Sequence, residues 1–183
     1  MSDEGGLTLA QQTRALWTGE QQHVHAVILG ARMPGLQERL ASAEVDDWDV
    51  LWAGELEPAE RAAAPHLVAL IEASDFTRWL ASEATAGYGG WGVFLLSQHP
   101  FLVVRSQARG LCQARLPDGS ELRLDWADPP VLQALLPLAS PEQLAGVFST
   151  LEAIVIPGAR QWTRMSLSMG ALQVQRRGVL PAG

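Results

Sequence analysis

The stretch Trp91-Gly92-Val93-Phe94-Leu95-Leu96 constrains the fold of this chain more than any other. It is uncharged, rich in aromatic and aliphatic residues, and enters from a Gly87-Tyr88-Gly89-Gly90 hinge, so it predicts a strand. Gly92 interrupts an otherwise bulky run, which marks a bulge or a close backbone approach. A second run, His23-Val24-His25-Ala26-Val27-Ile28-Leu29, predicts a buried strand ended by Gly30, and residues 49–52 a third. Pro65 holds its predecessor out of the helical region, so residues 64–70 are expected to be extended. A late strand is expected over Ala153–Ile156.

Helix signals alternate with these runs. Leu9, Leu16 and Trp17 recur at helical spacing over residues 8–18. Pro34 opens a segment carrying Leu36 and Leu40, and Ser74 is a good N-cap for a helix through Phe76, Trp79 and Leu80. Residues 100–109 send mixed signals, because Val103-Val104 favours a strand while the start signal favours a helix; helix is the reading taken. Asp128-Pro129-Pro130 starts a helix through Val131, Leu132, Leu135 and Leu136, and Ser140-Pro141-Glu142-Gln143 is a capping box. Pro117-Asp118-Gly119-Ser120 predicts a hairpin turn, and residues 55–64 a loop with a partial helical turn. The expected fold is α/β: a single domain with a mixed β-sheet and interleaved helices packed on it. Its parts are an N-terminal helix and lead-in (1–22), a core (23–157), and a C-terminal appendage or pair of edge strands (158–183).

Composition narrows function. With 48% hydrophobic residues, 183 residues can bury one sizeable core. The net charge of −7 repels a phosphate backbone, so nucleic acid is not an expected partner. All thirteen cationic residues are arginine; without lysine there is no Schiff-base or phosphate-loop lysine. The single Cys112, an acidic opening without signal-peptide character and no apolar run of about 18 residues give an expected cytoplasmic address with no membrane contact.

Motifs for chemistry are present only in outline. Gly87-Tyr88-Gly89-Gly90-Trp91-Gly92 matches the dinucleotide pattern, but a helix precedes it and a strand follows, the reverse of what pyrophosphate binding needs. His23 and His25 share one side of a strand but lack a third metal ligand nearby, with His66 and His99 distant in sequence. Ser166-Leu167-Ser168-Met169-Gly170 echoes a nucleophile elbow without its first glycine or a downstream histidine. Cys112 reads as a small buried residue, and Asp46, Asp47 and Asp49 as a solvated acidic loop. No cofactor, metal or catalytic residue is expected.

Segment order carries a resemblance. His25-Ala26-Val27-Ile28-Leu29-Gly30-Ala31, Leu51-Trp52-Ala53-Gly54 and Ala64-Pro65-His66-Leu67-Val68 are followed by Gly90-Trp91-Gly92-Val93-Phe94-Leu95-Leu96-Ser97. Leu116-Pro117-Asp118-Gly119 and Asp125-Trp126-Ala127-Asp128-Pro129-Pro130-Val131-Leu132 complete the series. Over residues 25–156 this resembles the type VI secretion effector chaperones, or adaptors, long described as a domain of unknown function. The chain departs from that pattern at Gly30, where an Asp is frequent, and at Asp125 and Pro130, where arginines are frequent. A carboxylate served by those arginines would here fall to Arg123 or go unpaired.

The resemblance implies a non-enzymatic adaptor that binds a secreted effector, through the effector's N-terminal region, and helps load it onto a VgrG spike. Two other classes stand beside it: a small hydrolase or metal-dependent enzyme using His23/His25 or Ser168, and an immunity-type inhibitor of a toxin. The partner site is expected at Trp126 with Arg123, Asp125 and Asp128, on the stiff Asp-Pro-Pro corner and the helix after it, with Trp91 as a further contact.

Overall fold

The uncharged run around Phe94 occupies the middle of the sheet. The computed structural model describes residues 6–181. In chain order the elements are β1 (Leu7–Thr8), α1 (Leu9–Arg14), β2 (His23–Leu29), α2 (Leu36–Ser42), β3 (Asp47–Val50), α3 (Pro58–Ala63) and β4 (Pro65–Ala69). They continue with α4 (Asp75–Trp79), α5 (Thr85–Gly87), β5 (Gly92–Ser97), α6 (Phe101–Leu111), β6 (Gln113–Arg115) and β7 (Glu121–Arg123). The last are α7 (Pro129–Leu135), α8 (Pro141–Val147), β8 (Ala153–Ile156), β9 (Gln161–Ser168) and β10 (Ala171–Leu180). Eight strands make one sheet in the order β1-β10-β9-β8-β5-β2-β4-β3, and β6-β7 form a separate hairpin. Neighbours run antiparallel except β1, which lies parallel to β10, so the sheet is mixed.

Central strands β4, β5 and β8 are buried at every position, as is β2 from Val24 onward. Such strands need cover on both faces. On one face Ala26, Ile28, Phe94, Leu96 and Trp162 pack with Leu16, Leu36, Leu40 and Leu80. On the other, Val27, Leu67, Val93, Leu95 and Ile154 pack with Val104, Leu132, Leu144 and Phe148. The expected α/β architecture is therefore the observed one, a sheet between two helical layers.

Several boundaries differ for physical reasons. Pro34 does not begin α2; Gly35 takes the left-handed conformation (φ 77°) as its N-cap. The segment expected to be mostly loop contains the full turns of α3, because Pro58 sits at the first helical position and Glu57 and Glu60 form a reciprocal cap. The third strand is displaced to Asp47–Val50, leaving Trp52 outside it. Residues 101–111 are helical in spite of two adjacent valines, with Val104 buried and Val103 exposed. At the C-terminus β9 pairs with both β8 and β10 inside the main sheet, β10 is bordered by the two residues of β1, and β9 and β10 are joined through Met169 and Gly170 at positive φ.

Candidate partner-binding surface

Proline and apolar spacing build the surface together. Asp128 is extended (φ −67°, ψ 119°) and Pro129 stands at the first helical position, where its missing N–H costs nothing. Helix α7 then presents two apolar sides. Pro129, Leu132 and Leu136 are buried. Val131, Leu135 and Leu138 turn to another side, where Leu135 is 50% and Leu138 83% exposed. A helix on the surface of a soluble domain normally turns one polar face to water, and α7 does not. Leu111 and Leu124 stand among the walls of the resulting groove, Val147 of α8 lines it too, and Trp126 contributes to its floor; its volume is about 360 Å³.

Trp126 belongs to the core layer beneath this groove. It is 5% exposed and its indole Nε1 donates to the Ala108 carbonyl of α6 at 3.1 Å, so it fixes the segment before α7 onto α6. Trp91 is likewise internal rather than a surface contact: it is 1% exposed, donates to Thr85 Oγ1 at 3.0 Å and meets Phe94 edge-to-face at 5.2 Å. Both tryptophans are packed with a satisfied N–H and almost no exposed area, and Trp126 meets the groove only at its floor.

The charged residues of the expected site separate. Asp128 makes no side-chain cap; its carboxylate pairs with Arg32 at 2.9 Å, tying the start of α7 to the turn after β2. Arg123 does not serve it. That guanidinium lies over the Trp52 ring at 4.8 Å and reaches Glu60 at 3.5 Å. Asp125 is exposed, and its carbonyl accepts the Asp128 N–H. The apolar residues Leu135 and Leu138, not the tryptophans, are what this corner exposes. Their signal in the sequence is that α7 and the turn after it carry apolar residues at Val131, Leu132, Leu135, Leu136 and Leu138, too many for one buried stripe.

The chemical motifs do not converge. His25 is buried, and burial first, then the charge of His23, lowers its pKa to about 4. His23 is exposed with its ring 6.3 Å from that of His25. Among the described residues no three His, Cys, Asp or Glu side chains come together in a metal-binding group. His66 is held between the Ala64 carbonyl (2.8 Å) and Gln37 (3.2 Å), and burial lowers its pKa. Ser168 ends β9 at an exposed strand-to-strand turn, whereas an elbow nucleophile needs a strand-to-helix turn. Cys112 is buried and its thiol is pushed up to about 11, chiefly by that burial. The glycine motif leaves α5 and enters β5, with Gly90 and Gly92 at positive φ. Asp49 is not part of a solvated loop; it lies in β3 and binds Arg105 and Arg109 at 2.8 and 2.9 Å.

The chain is thus an α/β domain with both faces of its sheet covered and one apolar side of α7 exposed. Residues 24–146, well over half of the chain, match the family described as Domain of unknown function (DUF4123), and the chain belongs to that family. No curated protein and no solved structure matches it. Among the described residues no helix is long and apolar enough to cross a membrane.

Proposed function

We propose that this chain is a non-enzymatic adaptor that holds a type VI secretion effector, through the effector's N-terminal region, and helps load it onto a VgrG spike in the bacterial cytoplasm. The observation that carries the reading is the open apolar side of α7, where Leu135 and Leu138 stand in water beside a groove of about 360 Å³. Exposed apolar surface of this kind marks a partner site, and a groove between helices suits an amphipathic segment of the cargo. That the cargo is a type VI effector rests on the family resemblance carried by the segment order of the sequence. Co-expression with a type VI effector and a VgrG spike from the same bacterium tests the reading. The effector is expected to co-purify with the wild-type chain and to be lost with Leu135→Glu/Leu138→Glu. An effector that elutes apart from the wild-type chain would contradict the proposal.

A further inference from the structure

Two buried donors without acceptors belong to one cleft. Trp52 Nε1 and Arg109 Nε are both buried, and among the described residues neither has a hydrogen-bond partner. Both side chains line a cleft of about 250 Å³ between the segment after β3 and the β6-β7 hairpin, where Gln113, Glu121 and Arg123 are the other polar residues. A buried N–H with no acceptor keeps its whole desolvation cost. Two of them on one cleft call for a ligand that brings acceptors.

The fold holds these groups in place. Arg109 Nη2 donates to Asp49 Oδ2 and to the Val50 carbonyl, both at 2.9 Å, which fixes the guanidinium and leaves Nε over. Asp49 also binds Arg105 at 2.8 Å, so one carboxylate is shared between two guanidinium groups. Across the cleft, the Leu124 N–H donates to the Cys112 carbonyl at 2.9 Å and pins the hairpin to the end of α6.

Charge selects the ligand. Arg123 lies over the Trp52 ring at 4.8 Å, and its contact with Glu60 at 3.5 Å joins two half-exposed side chains, a weak pair in water. Its guanidinium can therefore turn to an anion in the cleft at little loss. Glu121, the one acid in the lining, already pairs with Arg115 at 2.9 Å. Two arginines and an indole N–H around so small a space suit a carboxylate, whose two oxygens accept several N–H bonds at once. A phosphate would bring further negative charge against Glu121.

We infer that this cleft binds a carboxylate, whose oxygens accept from Trp52 Nε1, Arg109 Nε and the Arg123 guanidinium. The same chemistry serves a free small acid and an acidic side chain of a peptide, and the test separates the two. The cleft shares no lining residue with the α7 groove and does not depend on the adaptor reading.

The indole N–H resonance of Trp52, identified by its loss in Trp52→Phe, is the readout in an isotope-labelled full chain. Propionate and a capped Gly-Glu-Gly peptide are the probes, with propionamide and Gly-Gln-Gly as neutral contrasts and inorganic phosphate as a second anion. At millimolar concentration a carboxylate should move the resonance downfield to saturation, and neither amide should move it. Tighter binding of propionate assigns a free acid, and tighter binding of the glutamate peptide assigns an acidic side chain of another protein. Arg123→Gln, at a half-exposed position, should weaken that binding at least ~tenfold. Arg109→Lys keeps a charge beside Asp49 but loses Nε–H, so it should weaken binding as well and carries the test if Arg123→Gln does not fold. The inference is overturned by an indole resonance that neither carboxylate moves, by equal movement with the amides, or by tighter binding of phosphate. Wild-type affinity in either folded arginine variant would also overturn it.

Discussion

Gly92 stands where β5 enters the sheet opposite Ile28, with φ 148°, a conformation that side-chain-bearing residues rarely adopt. A Cβ built there would lie 1.9 Å from the Val27 carbonyl oxygen, a backbone atom that cannot swing away. Gly92→Ala should therefore carry two costs. Forcing an atom into a packed site costs about 1–3 kcal/mol, and holding a non-glycine residue in a sparsely populated region costs about 1–3 kcal/mol more. A loss near 3 kcal/mol is a large part of the roughly 5–15 kcal/mol that stabilises a domain. With a urea slope of about 2–3 kcal/mol/M, it lowers the unfolding midpoint by ~1 M or more. Gly89→Ala is the control, since a Cβ there meets nothing within 4 Å, and it should stay within about 0.5 kcal/mol of wild type. Equal midpoints for Gly92→Ala and the wild type would refute the close approach between β5 and β2.

Three further outcomes follow from the same contacts. His25 keeps its folded pKa near 4 while the unfolded chain titrates near its ordinary value of 6.5. Stability is then complete above pH 6.5 and falls as the pH drops toward 4, by about 2 kcal/mol at pH 5; urea midpoints at pH 7.5 and 5 should show a smaller difference in His25→Leu. Trp126→Ala should cost about 3–5 kcal/mol in chemical unfolding, as a core deletion does, and any loss of cargo should track that unfolding. Arg32→Ala strands the Asp128 carboxylate, whose side chain is 18% exposed; because Arg32 itself is half open to water, the cost is set at about 1–2 kcal/mol. The Arg32→Ala/Asp128→Ala pair should recover part of it in a double-mutant cycle.

Local chemistry made much of the fold legible. Ser74 and Ser140 cap the helices that their spacing announces, and the Pro117–Ser120 turn joins the two short strands expected there. The parallel contact of β1 with β10 left no such trace, because it joins residues more than 170 positions apart over two pairs. Asp49 looked solvated because its arginines arrive from α6, 56 and 60 residues later. At the candidate site the sequence does not say which side chains of the Asp-Pro-Pro corner reach the surface. Trp126 and Trp91 are amphipathic, so residue type alone does not say whether the ring is anchor or filler; their N–H acceptors, Ala108 O and Thr85 Oγ1, come from the fold. Leu132 and Leu135 look alike in sequence, and only the packing of α7 decides that one is buried and the other half in water.

Titration calorimetry of the effector's N-terminal region against the wild-type chain and Leu135→Glu/Leu138→Glu tests the adaptor reading most directly. Leu102→Glu, at another exposed leucine outside the groove, serves as the surface control. If the groove holds the cargo at a hot spot, the double variant should weaken binding by at least ~100-fold, with the thermal midpoint and the Leu102→Glu affinity unchanged. Wild-type affinity in a folded double variant would contradict the account.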